Sequence, residues 1–194
     1  AEKLTLINWH DIKPKLEDTG IIKLYNDCVE LLKDEYFLNP GGIHGLGHTK
    51  RVLLLNLILA SKLKLENRGI HILCMAALYH DIGRTHDGVD ARHGLESYRK
   101  AEKAGLFCCN TTEDTEVIRF IIENHRLRDD TARPRLGNYN TGNKGDTLKL
   151  FNVFKDADGL DRVRLRDLDI NQLRTDEAKS LVLVAEQLLA AIKE

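Results

Sequence analysis

The chain has 194 residues, 42% of them hydrophobic and 30% charged, with 29 basic and 30 acidic side chains and a formal net charge of −1. That balance excludes a disordered or fibrous chain, and the near-zero charge excludes a general electrostatic attraction to duplex nucleic acid or to an anionic membrane. At this length roughly 70% of the unfolded chain's surface is buried on folding, so one domain over residues 1–194 is expected.

No amino-terminal stretch has the apolar run of a secretory signal, and "VLLLNLILA" is too short to span a bilayer. Cys28, Cys74, Cys108 and Cys109 lack the C-x-x-C spacing of zinc or redox motifs and read as free thiols. A cytoplasmic protein is the expectation.

In chain order, the apolar positions repeat at helical spacing, and no run alternates as a strand would. A first amphipathic helix is predicted over residues 20–36, with Ile22, Tyr25, Val29 and Leu32 on one face. The glycine-rich "NPGGIHGLGH" breaks it and leads into a leucine-rich helix over 48–64, buried on most sides. A third helix, 69–83, ends at Gly83 beside Arg84, which places His80 and Asp81 in its last turns. A fourth spans 91–104, and a fifth opens at the capping-box pattern Asn110-x-x-Glu113 and runs to about 125. Residues 126–146 show no hydrophobic period and are expected to form a long functional loop. A sixth helix, capped by Asp146, carries "TLKLFNVFKDADGLDRVRL", and a last one fills 175–193. The fold class is all-α, a helical bundle of six to eight helices.

Histidine supplies the chemistry. An aspartate at the end of an apolar helix, as Asp81 is after "ILCMAALYH", is costly to bury unless something positive receives it. Asp158 repeats the situation close to the face set by Phe151 and Phe154, and His48 opens a buried helix. The pattern His48, His80-Asp81, Asp158 resembles the H…HD…D signature of the HD superfamily of metal-dependent phosphohydrolases. "HGLGHTKRV" is similar to that family's opening H-x-x-x-H-x-x-R-V, "ALYHDIGR" to its central helix end, and "DADGLDRV" to its closing D-A-D-x-L-D. The motif-bearing core covers residues 44–166, and only Gly159 departs, standing where the family's closing motif usually has arginine. That arginine's role is then absent or falls to Arg162.

The resemblance implies a helical HD-type domain with His48, His80, Asp81 and Asp158 as ligands of a divalent transition metal: Mn, Fe, Co, Ni or Zn. One ion is expected, and His93 and His125 stand where a second metal or a phosphate would be held. The implied reaction is hydrolysis of a phosphoester of a small phosphorylated metabolite, a nucleotide first among them, by metal-activated water. Asp81, Arg84 and Asp87 are the expected catalytic residues, with Arg84 on phosphate and Asp87, with Asp90, as acid/base groups in the polar turn "THDGVD". Two alternatives share the scaffold: a di-iron oxygenase and a non-catalytic nucleotide-binding sensor. Of the remaining histidines, His44 is expected to bond locally among glycines, His71 to lie far from the site, and His10-Asp11 and His86 to be ordinary surface or turn residues. Asp158 is preferred over its neighbours Asp156 and Asp161 from the motif and its place relative to the phenylalanines.

Overall fold

The computed structural model describes residues 6–109 and 111–193, and among them all regular structure is helical. Ten α-helices are present: α1 Trp9–Asp18, α2 Ile21–Val29, α3 Leu46–Lys62, α4 Asn67–Tyr79, α5 His93–Lys103, α6 Thr112–Asn124, α7 Asp129–Ala132, α8 Lys144–Leu160, α9 Asp176–Lys179 and α10 Val182–Ala191. The all-α expectation agrees, while the expected six to eight helices are exceeded among the described residues, because α1 and α7 form where no helix is predicted and the last predicted helix is divided.

Each difference has a local cause. Helix α1 contains Pro14, which reads as a breaker, yet the helix forms with Asn8 capping the His10 amide at 2.9 Å. The predicted 20–36 helix stops at Val29, and the chain turns through a short 3-10 segment, Asp34–Tyr36, whose Tyr36 carbonyl accepts from Lys100 Nζ. Helix α6 is capped by Thr111, which accepts from the Asp114 amide, and Asn110 lies outside the described residues. Asn143, not Asp146, caps α8 through the amides of Gly145 and Asp146. The final helix divides at Ser180, whose carbonyl is taken by the Ile7 amide at 3.0 Å.

Residues 126–146 are not an open loop. They fold into α7 and a 3-10 segment, Arg133–Asn138, with Ala132, Leu136 and Thr141 buried. Charge pairing and not apolar periodicity holds them: Asp129 accepts from Arg174 Nε at 2.9 Å, Arg174 Nη2 at 2.6 Å and Lys155 Nζ at 2.7 Å.

The core is built on α3, which packs against α4 and α8, while α4 and α8 also pack on α6, and α6 on α5. Val52, Leu53, Leu55, Leu57 and Leu59 of α3 share one core with Phe120, Phe151 and Phe154, all essentially inaccessible. Truncating one such phenylalanine costs about 3–5 kcal/mol. This packing brings the amino-terminal ends of α3 and α5 to the same place as the carboxy-terminal ends of α4, α6 and α8. Two glycines permit the approach: a Cβ on Gly83 would stand 2.1 Å from the Ser97 amide nitrogen, and one on Gly94 would stand 2.4 Å from the Ile122 carbonyl oxygen. No helix among the described residues is long and apolar enough to cross a membrane.

Candidate metal centre

The carboxy-terminal ends of helices leave carbonyls without partners; two histidines here use that fact, and a third bonds a turn carbonyl through the same ring nitrogen. His80 follows the last residue of α4 and its Nδ1 lies 2.9 Å from the carbonyl of Ala77. His125 does the same after α6, with Nδ1 2.7 Å from the Ile122 carbonyl, and His93 opens α5 with Nδ1 2.8 Å from the Asp90 carbonyl. This is also why α4 ends at Tyr79 and not at Gly83: the His80 ring takes the carbonyl that a further turn would use. His48, within the first turn of α3, has Nδ1 2.7 Å from Asp161 Oδ2.

A carbonyl oxygen can only accept, so Nδ1 of His80, His93 and His125 carries the proton, and the Asp161 carboxylate fixes His48 likewise. In the neutral rings Nε2 is then a bare lone pair. These lone pairs face one another: His48 Nε2 and His80 Nε2 are 3.1 Å apart, and His93 Nε2 and His125 Nε2 are 3.0 Å apart. Two lone pairs at that distance repel. Burial opposes protonating His48 and His125: desolvation, then Arg164 and His80, holds His48 well below its ordinary value, and desolvation with His93 and His80 takes His125 down to about 3.

Asp81 lies between the two pairs and is 4% exposed. Its Oδ2 is 3.6 Å from His48 Nε2 and 3.7 Å from His80 Nε2, while Oδ1 is 3.1 Å from His93 Nε2 and 3.8 Å from His125 Nε2. Oδ1 is buried without an aligned hydrogen bond, although Arg84 Nε is 3.1 Å away and is equally unsatisfied. Burial raises the Asp81 carboxyl, but a positive charge among the rings around it, on His80, His44, His93 or His48, outweighs burial and holds it well below the usual carboxylate range. Asp158, from the last turn of α8, completes the first pair with Oδ1 3.5 Å from His48 Nε2. Opposed lone pairs and an orphaned carboxylate oxygen in a closed space are a donor set for a cation, and His48–His80–Asp158 and His80–Asp81–His125 each bring three ligand atoms within 4.8 Å of one another.

Three neighbouring aspartates, two in the last turns of α8 and one just after it, separate cleanly. Asp158 faces the histidines. Asp156, fully buried, accepts from the amides of Arg174 and Thr175, from Thr175 Oγ1 and from Arg174 Nη1. Asp161, also fully buried, holds His48 and Arg51. His44 departs from its expected place, since its Nδ1 reaches Asp81 Oδ2 at 3.0 Å instead of bonding among glycines. Sequence reasoning missed both His44 and the supporting role of Asp161. The signals were present: His44 precedes His48 by one helical turn, and Asp161 follows Asp158 by three residues, on one face.

The centre opens into a cavity of about 700 Å³ lined by Arg84, Asp87, Asp90, Lys155, Asp158 and Arg174 among others, with Arg126 the contribution of the 126–146 segment. Gly159 and Arg162 both line it, and Arg162 pairs with Asp167. Ile43, Val89 and Leu165, three of the exposed large hydrophobic residues, stand on its wall. His71 is bonded to the Cys108 carbonyl away from the cavity, and His10 is exposed. All four cysteines are free.

The HD domain model matches residues 45–163, within the expected 44–166 core. The chain belongs to the HD-domain family of metal-dependent phosphohydrolases. No curated protein and no solved structure is matched by the chain.

Proposed function

We propose that the protein hydrolyses a phosphoester of a small phosphorylated metabolite, a nucleotide first among candidates, with His48, His80, Asp81 and Asp158 holding a divalent transition metal. The observation that carries this reading is the opposition of the histidine Nε2 lone pairs around the orphaned Asp81 oxygen at the floor of the cavity. A divalent ion held there supplies Lewis acidity toward a phosphoryl oxygen and brings the pKa of water toward about 7. A His48 ring that burial keeps from protonation and an Asp81 held as the carboxylate are ready to receive it without first losing protons.

The chain's own residues supply the rest. Arg84, on the cavity wall beside Asp81, binds phosphoryl oxygens through its guanidinium. Asp87, exposed in the turn above the cavity, exchanges a proton with the leaving oxygen. The cavity volume lies within the roughly 300–1,000 Å³ of small-molecule sites, which supports a substrate of nucleotide size. Among the described residues no phenylalanine, tyrosine or tryptophan lines it, so a base would rest on Val89, Leu165, Leu168 and Leu173. His93 and His125, facing Asp81 Oδ1, support a second ion in the same centre.

That second pair is also what a di-iron oxygenase would need, which makes oxygenase chemistry the second reading. Elemental analysis of the purified protein, followed by a panel of nucleoside phosphates, cyclic nucleotides and phosphosugars, tests the first. Bound transition metal and chelator-sensitive release of phosphate or nucleoside are expected. A metal-loaded protein that turns over none of the panel, and gives a mixed-valent di-iron resonance, would replace it with the second.

A further inference from the structure

Arg51 is the largest side chain of this protein that is fully buried, at 0% exposure. Burying a guanidinium is expensive unless it is paired and hydrogen-bonded, and this one is committed on every side. Its Nε donates to Asp161 Oδ1 at 2.6 Å, Nη2 to Asp161 Oδ2 at 3.2 Å and Nη1 to the carbonyl of Ile192 at 2.6 Å. The forked contact fixes the plane of the Asp161 carboxylate, and the same Oδ2 receives His48 Nδ1 at 2.7 Å. Arg164 adds a third hold on Asp161, from Nη1 to Oδ2 at 3.3 Å, and its Nε donates to the carbonyl of Ile43, next to His44.

We propose that Arg51 is the positioning residue of the metal centre: by clamping Asp161 it sets the tautomer and tilt of the His48 ring and so sets metal affinity. Arg51 and His48 sit three residues apart on α3, on one face, and both bond Asp161. Asp161 arrives from the end of α8, so His48 is oriented by a carboxylate from another helix that Arg51 locks. Through Ile192 the guanidinium also ties the end of α10 to this support, a connection that the ligand residues alone do not make.

The inference rests on His48 being a ligand, as proposed above, and its test reads that separately. The substitutions are Arg51→Met, which removes the charge and the fork, and Arg51→Lys, which restores the charge alone. Mn²⁺ affinity is measured by calorimetry on the chelator-treated protein, and the His48 ring nitrogens are followed by ¹⁵N NMR without metal. Folding is checked by circular dichroism. Loss of a supporting partner weakens metal binding about 10–100-fold, so Arg51→Met should fall in that range, Arg51→Lys should lie between it and wild type, and the His48 Nδ1 proton signal should broaden or shift in both. Leu57→Ala, a destabilising cavity elsewhere in α3, should leave Mn²⁺ affinity within about twofold.

A folded Arg51→Met protein with wild-type Mn²⁺ affinity and an unchanged His48 signal overturns the proposal. So does failure of both Arg51 variants to fold, which would make Arg51 a determinant of folding and not of ligand geometry. Wild-type protein that binds no Mn²⁺ or other transition metal sinks the metal reading itself, while the NMR comparison still decides whether Arg51 orients His48.

Discussion

Two buried electrostatic clusters flank the same cavity and are built from the same helix, yet they are opposite in kind. Around Asp156 and Asp129, every carboxylate oxygen has donors, from Arg174, Thr175 and Lys155, and the result is a clamp that fastens α9 and the 126–146 segment to α8. Around Asp81 and Asp158, the latter two residues after Asp156 in sequence, lone pairs confront lone pairs and a buried oxygen accepts nothing. Satisfied buried charge holds a fold together. Buried lone pairs without hydrogen-bond donors in a well-packed protein require a reason, and the capacity to bind a cation is the one that their chemistry fits.

The largest expected effect exchanges one aspartate for its neighbour. Asp158→Asn, His80→Ala and Asp81→Ala should each abolish metal binding and reduce hydrolysis to background, while the apo-protein stays folded, because each gives up few hydrogen bonds, His80 to the Ala77 carbonyl and Asp81 from His44, and the change relieves the crowding of lone pairs. Asp156→Asn should do the reverse, costing about 3–5 kcal/mol through its buried partners and leaving metal affinity intact. Denaturant melts and elemental analysis of the four variants measure both halves. A stable Asp156→Asn protein without metal would erase the distinction between the clusters.

Next in size is stabilisation by the metal itself. Saturating wild-type protein at a hundred times Kd should add about 2.7 kcal/mol, read as a rise in Tm, and the gain should vanish in His80→Ala. His125→Ala should keep part of the gain and, if two ions bind, halve the metal content.

Acid should then separate the clusters by window. His125, depressed to about 3 from 6.5, and His48, depressed likewise, bind protons in the unfolded chain that they refuse in the folded one. Apo-protein stability should therefore be full above about pH 6.5 and fall as pH drops from there toward 3. Asp129, held below its ordinary 3.8 against burial by Arg174 and Lys155, contributes stability that is lost only as pH falls below that value. Thermal melts of apo-protein between pH 8 and 4 should slope, and His125→Gln should flatten the slope. A flat wild-type profile would mean that the rings are already charged and the lone-pair reading is wrong.

How far the sequence foretold these clusters follows from what each is made of. The helices were legible wherever one face is apolar, as in α3, α4, α6 and α8. The spacing of His48, His80-Asp81 and Asp158 was legible because each ends or opens such a helix. The clamp was not, since Asp129, Lys155 and Arg174 are held by charges 26 and 45 residues apart, and pairings at that separation leave no periodic trace. His44 and Asp161 were missed for a related reason: each acts through another side chain, and their partners are set by how α3, α4 and α8 cross.

The smallest expected effect tests whether the clamp is as self-contained as its hydrogen bonds indicate. Arg133 touches Asp129 at 3.3 Å and Asn152 at 3.0 Å with a side chain 43% exposed. Asp129 keeps Arg174 and Lys155 when Arg133 is removed, so nothing is left buried and unpaired. An exposed pair of this kind is worth about 0–1 kcal/mol, and Arg133→Ala should lose no more than that, with Mn²⁺ affinity unchanged. A loss well above that range, or a weakened metal, would show that strain in the clamp passes along α8 from Lys155 to Asp158, and the two clusters would then have to be treated as one.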